Sequence, residues 1–396
     1  MNHASTHDRT SVPTENLKRD LDVLLDYAVQ DQALVGAAVL VSRAGQIEYE
    51  RAAGFADREA SVPVTQETIF RWASLTKPLV SACALALLDQ KVISLDDPVT
   101  KFLPGFAPRL RDGSTPTITI SHLLTHTAGM TYRLSEVEGG PYHRANVSDG
   151  LDQPGLSIEE NLRRIASVPL ASEPGSAWSY SVATDVLGEV IVRAAGTPLP
   201  ILVDRLVVQP LGLKSPDFSI KQRDRLAAAY ADGKPAPTRM TAHHLVPFWN
   251  GAISFAPDRM FDPESYPSGG AGMSGTATDF LQFLEVIRTG GAPILSRSST
   301  DLLTTIAIGD LQSFAPGWGW SLGWAILRDP ALTGTPQSRG TWLWGGVYGS
   351  SWFVDPELEL SVVIMTNTAT AGMLGNFPDA VRDAIYASLR QVPREA

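Results

Sequence analysis

Apolar residues near the start of the chain follow the periods of helices and strands. One stripe of residues 14–30 is apolar, which predicts an amphipathic helix. Alternating and continuous apolar runs predict strands over residues 34–41 and 46–52, and Gly45 between them predicts a hairpin turn. A further apolar run predicts a helix over residues 76–90.

The C-terminal end repeats this pattern. Strand-like runs over residues 318–327, 341–344, 350–354 and 360–366 are separated by Gly, Pro and Asp, and an amphipathic helix is predicted over 377–389. Strands and a helix at both ends predict one antiparallel sheet that is closed by the two chain ends and flanked by the terminal helices. The expected fold class is therefore α+β.

The middle of the chain has a different character. Short helical runs, such as 158–166 and 183–195, alternate with long loops rich in proline and glycine. We therefore predict a mainly helical inserted domain over residues 91–311. The sheet domain would then be discontinuous, with residues 1–90 and 312–396.

Composition and charge exclude several classes of protein. The chain has 396 residues, of which 44% are hydrophobic and 19% charged, so it is not a disordered protein. Its net charge of −10 argues against nucleic-acid binding. No stretch of 18 apolar residues predicts a membrane span, and residues 1–9 lack the apolar core of a signal peptide. We therefore expect a cytoplasmic protein without a membrane partner.

The chain's one cysteine, Cys83, lies in the apolar run Val80-Ser-Ala-Cys-Ala-Leu-Ala86. A single cysteine forms no disulfide within the chain and excludes Cys-x-x-Cys motifs. A buried thiol in such a run is unreactive, because burial disfavours the thiolate. We expect Cys83 to be a packing residue and not a nucleophile.

A first candidate for chemistry is Ser74-Leu-Thr-Lys77. Residues three apart share a helix face, so the Lys77 amine can reach the Ser74 hydroxyl. Serine needs a nearby base or cation to act as a nucleophile. Taken alone, this pattern also fits a serine at a helix N-terminus beside a solvated lysine.

Two further segments carry candidate groups. Tyr180 follows a turn just before a predicted helix, and its phenolate would be a general base beside a cation. Paired glycines in Trp344-Gly-Gly-Val347 mark a bulge, or a place where a ligand or another backbone approaches a strand. At a strand edge, the Val347 N–H would be available to an oxyanion.

These three motifs, in this order, resemble those of the serine β-lactamase and penicillin-binding protein superfamily. Further segments are similar to its class C β-lactamase branch, and most closely to the esterases of that branch, the family VIII carboxylesterases: residues 122–129, 210–213, 269–273 and 319–324. The resemblance runs from about residue 15 to the end of the chain. It implies the serine β-lactamase fold.

Two departures from the lactamase pattern point to an esterase. Class C lactamases have Asn at the third position of the tyrosine motif, where this chain has Val182. They also have Lys and Thr where Trp344 and Gly345 stand. Without the lysine, a substrate carboxylate loses a charge-assisted contact worth about 1.5–3 kcal/mol. The indole favours a neutral, apolar substrate. No Gly-x-Ser-x-Gly occurs, so an α/β-hydrolase nucleophile is absent from this sequence.

We therefore predict a serine carboxylesterase that cleaves neutral short- to medium-chain esters through an acyl-enzyme. Ser74 is the expected nucleophile, and Tyr180 with Lys77 the acid–base pair, either of which is open as the formal base. The Ser74 and Val347 backbone N–H groups would bind the oxyanion. No metal or cofactor is required. Candidate substrate-binding residues are Trp344, Gly345, Gly346, Tyr132, Trp178 and Trp352, with Phe248 and Trp249 as further aromatic candidates.

Other functions remain alternatives at this point. The same fold is typical of β-lactamases, D-amino-acid peptidases and acyltransferases, and of catalytically silent members that only bind. Two further patterns are set aside. The glycine pattern of residues 270–275 follows a loop and not a strand, which argues against a dinucleotide site. His122 and His126 lack the intervening Glu of a zinc protease motif and are expected to be structural.

Overall fold

The computed structural model describes residues 11–390, so residues 1–9, on which the signal-peptide prediction rests, lie outside it. Helices in chain order are α1 (Ser11–Gln30), α2 (Thr76–Asp89), α3 (Ile120–Leu124), α4 (Pro141–Arg144), α5 (Ile158–Ser167), α6 (Ala183–Ala195), α7 (Leu199–Val203), α8 (Gln209–Leu211), α9 (Ala277–Arg288), α10 (Arg297–Thr304), α11 (Pro330–Thr333) and α12 (Asn376–Arg390).

The strands are mostly short outside the central sheet. In chain order they are β1 (Gly36–Arg43), β2 (Gln46–Asp57), β3 (Val62–Pro63), β4 (Phe70–Arg71), β5 (Tyr230–Ala231), β6 (Thr238–Arg239), β7 (His244–Phe248), β8 (Gly251–Phe255), β9 (Ser274–Gly275), β10 (Trp318–Trp320), β11 (Ala325–Leu327), β12 (Trp342–Gly346), β13 (Ser350–Asp355), β14 (Leu360–Thr366) and β15 (Thr368–Ala369).

An eight-stranded sheet joins the two chain ends. Its order is β10-β11-β12-β13-β14-β1-β2-β3, and β1 pairs with β14 antiparallel, with Val39 opposite Ile364. β1 and β2 are joined by a two-residue turn in which Ala44 and Gly45 both have positive φ, at 49° and 79°. Such turns match the twist of paired strands, which explains the predicted hairpin.

The terminal helices α1 and α12 pack together against one face of this sheet. Their apolar stripes pack on the side chains that β1, β13 and β14 direct toward these helices. The buried cluster contains Leu17, Leu21, Leu25, Val39, Val41, Phe353, Val362, Ile364, Val381 and Ile385. The predicted α+β class, with an antiparallel sheet flanked by both terminal helices, is therefore confirmed.

The other face of the sheet is covered by helices from the first half and the middle of the chain. α9 contacts β1 and β14, and α2 contacts α6. A single apolar cluster extends from Leu40 on β1 through Leu85 on α2 to Leu187 on α6. The division into a sheet domain and an inserted domain over residues 91–311 stays a prediction. α9 belongs to the predicted insertion by its position in the sequence, but it packs on the sheet.

Several predicted boundaries differ from the structure. The predicted strand 318–327 is two strands, β10 and β11, joined by a turn in which the Ser321 hydroxyl accepts bonds from the N–H groups of Gly323 and Trp324. α1 begins at Ser11, three residues before the predicted start. Within residues 11–390, no single helix has the length and apolar composition to cross a membrane; α6 and residues 199–211 pass that test only as a pair bent by 80°.

Candidate active site

Ser74 lies in a tight helical turn that leads into α2. The turn, Ala73–Leu75, is a 3-10 segment that follows β4, and Ala73 has a φ of 45°. Left-handed backbone at a residue with a Cβ costs about 1–2 kcal/mol and persists where the surrounding structure requires it. Ser74 is 8% exposed and reaches an apolar groove. As the second residue of the helical segment, it has an N–H without a partner inside that segment.

Lys77 lies beside Ser74 and is almost fully buried. Its Nζ donates to Ser74 Oγ at 3.2 Å and to the Gly270 carbonyl at 2.7 Å. The same nitrogen lies 4.7 Å from the Tyr180 ring centre and 5.3 Å from that of Tyr132. Buried charges need such partners, because desolvation otherwise costs several kcal/mol. The spacing argument that placed Lys77 beside Ser74 is therefore matched by the geometry.

The glycine-rich segment set aside as a nucleotide site holds Lys77 in place. A Cβ at Gly270 would lie 2.6 Å from Asp185 Oδ2, so only glycine brings this carbonyl to the lysine. Asp185 Oδ1 accepts a 2.6 Å bond from the Ser268 hydroxyl, which in turn accepts from the Ala271 N–H. Burial raises the pKa of Asp185 above its usual range. The sequence analysis did not single out Asp185 or Ser268.

Tyr180 receives a hydrogen bond from the tryptophan that replaces the lactamase lysine. Trp344 Nε1 donates to the Tyr180 hydroxyl at 2.9 Å, and the two rings lie 4.9 Å apart. Trp320 packs edge-on against Trp344 at 4.6 Å and completes the aromatic wall. This donor was not foreseen from the sequence, which treated Trp344 as an apolar contact only.

His126 and His122 both have structural partners. The His126 ring is buried 4.9 Å from Tyr180, and its Nδ1 pairs with the Ser181 hydroxyl at 3.1 Å. Burial, with the charge of Lys77 adding to it, moves the pKa of His126 well below its usual range, so the ring is neutral. His122 forms a capping box with Thr119 at the start of α3. The prediction that both histidines are structural agrees with these contacts.

The paired glycines let β12 approach the serine turn. A Cβ at Gly346 would lie 2.2 Å from the Trp72 carbonyl oxygen, and one at Gly345 would lie 2.6 Å from Met373 Cγ. β12 therefore packs against the turn that carries Ser74, with Val347 at its end lining the same groove. Of the two predicted explanations, a close backbone approach fits Gly346.

The groove beside Ser74 is mainly apolar, with a volume of about 360 Å³. Four of the predicted substrate-binding residues line it: Tyr132, Trp344, Gly345 and the almost fully buried Trp352. Trp178 does not: it packs behind Tyr180, with the two rings nearly parallel and 6.4 Å apart. Gly346 faces Trp72 instead. Further lining residues that the sequence analysis named only in passing or missed are Phe248, Trp249, Phe314, Trp318 and Met373.

Two other groups bear on the site's chemistry. Cys83 is fully buried in α2, and burial raises its pKa to about 12, which agrees with the expected inert thiol. Asp149 lies at the groove wall, where its carboxylate accepts the N–H groups of Arg133 and Leu134. Within residues 11–390, no group of three or more His, Cys, Asp or Glu side chains is placed to hold a metal ion.

Comparison with known proteins identifies the family. The β-lactamase family model matches residues 21–385. The chain belongs to the β-lactamase family. It is similar to Esterase EstB of Burkholderia gladioli, with 49% identity over 95% of this chain and 97% of EstB. The resemblance to the esterase branch of the class C superfamily is therefore confirmed.

Solved structures and acyltransferases of the family are also similar. The structure of EstCE1, described as a hydrolase with promiscuous acyltransferase activity, has a TM-score of 0.92 and 42% identity, covering 95% of this chain and all of that one. Acyltransferase calJ of Penicillium decumbens is 27% identical over 82% of each chain. This β-lactamase family member therefore has similar relatives of two kinds, esterases and acyltransferases.

Proposed function

We propose that this β-lactamase family protein is a serine carboxylesterase. Its substrates would be neutral esters with short- to medium-length acyl chains, cleaved through an acyl-enzyme on Ser74. The observation that carries the proposal is the Trp344 indole, which occupies the lactamase lysine position and donates to Tyr180 beside a lysine-paired serine. An apolar indole in this place supports an uncharged substrate, and the intact Ser74, Lys77 and Tyr180 argue against a silent binding member.

Acylation would begin with attack of Ser74 Oγ on the ester carbonyl. In the proposed assignment, the Tyr180 phenolate accepts the serine proton as the new C–O bond forms. Lys77, whose Nζ bonds to Ser74 Oγ and lies over the Tyr180 ring, stabilises the negative charge during this transfer. Neutral Lys77 acting as the base is the alternative assignment.

The tetrahedral intermediate places a negative charge on the former carbonyl oxygen. We propose that the N–H groups of Ser74 and Val347 bind it, each contributing roughly 3–4 kcal/mol to the transition state. Collapse of the intermediate breaks the bond to the alcohol, which leaves with the proton held by Tyr180. A water molecule then attacks the acyl-enzyme and gives its proton to Tyr180. Tyr180 passes this proton to the Ser74 oxygen as the bond to the acyl group breaks, which releases the acid and free Ser74.

Hydrolysis of p-nitrophenyl acetate and butyrate by the wild type and Ser74→Ala tests this function, with nitrocefin assayed alongside. We expect fast ester turnover by the wild type, its loss in the variant, and little nitrocefin opening. Retained esterase activity in Ser74→Ala would place the nucleophile elsewhere. Nitrocefin opening faster than ester cleavage would instead make the protein a β-lactamase.

Acyl transfer to an alcohol is the second candidate function. It is favoured by the similarity to EstCE1 and to calJ, together with the apolar groove lining, which disfavours water as the acceptor. Added alcohol would then raise the rate of p-nitrophenol release and yield the transferred ester. An unchanged rate with only free acid as product would leave hydrolysis alone.

We further propose that the enzyme works in the cytoplasm on small-molecule esters, without a nucleic-acid or membrane partner. The net charge of −10 supports this, because phosphate backbones and anionic lipid surfaces repel an acidic protein. Cell fractionation with detection of the tagged protein tests the location. Recovery in the membrane fraction would contradict it.

A further inference from the structure

One exposed tryptophan beside the groove has a conformation that the fold itself does not favour. β7 and β8 are joined by the two-residue turn Trp249-Asn250, with Phe248 paired to Gly251. Trp249 has a φ of 48°. A positive φ at the first position of such a turn favours glycine, and a residue with a Cβ is strained there.

Packing does not compensate for this strain. Trp249 is 68% exposed. Its ring contacts that of Phe248, with 4.4 Å between the ring centres. Phe248 itself is 8% exposed and belongs to the core. An indole left in water forgoes most of the free energy that its burial would provide. Neither backbone preference nor burial therefore explains a tryptophan at this position.

The hairpin that carries Trp249 is fixed against the wall of the groove. A Cβ at Gly251 would lie 2.4 Å from the Glu136 carbonyl and 2.8 Å from that of Leu134. The same wall is anchored by Asp149, whose carboxylate accepts the Leu134 N–H at 2.8 Å. The turn therefore has a defined place, and Trp249 lines the groove that also contains Ser74.

We infer that Trp249 is a specificity-determining residue that stacks on an apolar ring of the ester where the substrate extends from Ser74 past Phe248. The inference rests on the proposed esterase function. It assigns the substrate class as neutral esters that carry a ring beyond the reacting carboxyl group. Stacking of an aromatic ring adds to the free energy gained by burying its apolar area, so the preference for such an ester is expected to be about tenfold.

Leu245 on the same hairpin provides a matched control. It is as exposed as Trp249, at 68%, but it does not line the groove. Leu245→Ala therefore removes an exposed apolar side chain from β7 without touching the substrate path. Trp249→Gly removes the ring and also relieves the positive φ, so it should not lower the thermal midpoint. Trp249→Phe keeps a ring on the strained backbone.

The test compares two pairs of esters in these variants, in the wild type and in Ser74→Ala. p-Nitrophenyl acetate against p-nitrophenyl phenylacetate places the added ring in the acyl group. Ethyl acetate against benzyl acetate, followed by acid release, places it in the alcohol. We expect Trp249→Gly to lower kcat/KM for the ring-bearing ester of one pair about tenfold relative to its partner, with Trp249→Phe and Leu245→Ala close to the wild type.

Each outcome has a separate meaning. A ring preference that is unchanged in Trp249→Gly for both pairs would overturn the inference and leave the esterase intact. An equal loss for all four esters, or a lower thermal midpoint, would make the turn structural and also overturn it. Wild type without Ser74-dependent ester cleavage would overturn the proposed function instead.

Discussion

Removal of the Trp344 N–H is the sharpest test of how Tyr180 works. Trp344→Phe deletes the 2.9 Å bond to the Tyr180 hydroxyl and keeps an aromatic ring in the wall, where the indole now lies 4.9 Å from Tyr180 and 4.6 Å from Trp320. A hydrogen bond to a charged oxygen is worth about 1.5–3 kcal/mol. In the proposed assignment Tyr180 must lose its own proton before it accepts that of Ser74, so relative to the neutral phenol the bond strengthens as charge appears on the oxygen. Because the incoming proton partly neutralises that charge in the transition state, roughly half of this, about 1–1.5 kcal/mol, affects the barrier.

That difference corresponds to a loss of about five- to tenfold in kcat/KM for p-nitrophenyl butyrate. Trp178→Phe is the matched control, since the Trp178 ring also packs on Tyr180 and its buried Nε1 has no hydrogen-bond partner among the described residues. We expect the control to lose less than about threefold, because it gives up no bond. Equal losses in the two variants, or less than about twofold in Trp344→Phe, would refute the role of this donor.

Three further changes test the supporting structure. Gly346→Ala forces a Cβ toward the Trp72 carbonyl, so it should lower the free energy of unfolding by about 1–3 kcal/mol and kcat by at least about tenfold. A stable, fully active variant would contradict the close approach. Asp185→Asn removes a buried carboxylate whose charge is attracted by that of Lys77, so kcat/KM should fall about tenfold. Because burial already disfavours the charged form of Asp185, the amide should leave the thermal midpoint unchanged in calorimetry, and a large drop in the midpoint would make the role purely structural. Burial raises the pKa of Asp149 from 3.8 to about 7, with the charge of Asp152 adding to it. The native state then holds a proton that the unfolded chain releases, so the free energy of unfolding should fall as pH rises from about 4 to 7. Denaturant titrations at several pH values should show a shallower slope of this free energy against pH for Asp149→Asn. An identical slope would assign the dependence to another group.

Local pattern accounts for the elements and the order of the motifs. The 3.6-residue stripe of α1, the continuous apolar run of β14 and the Ala44–Gly45 turn depend on neighbours in sequence, so apolar pattern and turn chemistry were enough to place them. The approach of Lys77 to Ser74 is also local, because it follows from one turn of helix. Motif order then allowed the family resemblance to be stated, and the family comparison confirmed it.

Boundaries were less certain where the sequence signal was shared between two elements. The apolar run over residues 318–327 has strand composition throughout, yet the Ser321 hydroxyl closes a turn in its middle and divides it into β10 and β11. Side-chain bonds to the backbone compete with strand pairing in this way, and an apolar pattern does not reveal them.

The α+β elements, the candidate catalytic motifs and the tryptophan at the lactamase lysine position could all be read from the sequence alone. Which aromatic side chains line the groove beside Ser74 follows from the packing of distant elements. Trp344 bonds to Tyr180, 164 residues away in sequence, and the Gly270 carbonyl accepts from Lys77, 193 residues away. Trp178 packs behind the Tyr180 ring. Such contacts are set by the packing of α2, α6 and β12 around one core, and no repeat along the chain encodes the distances between them.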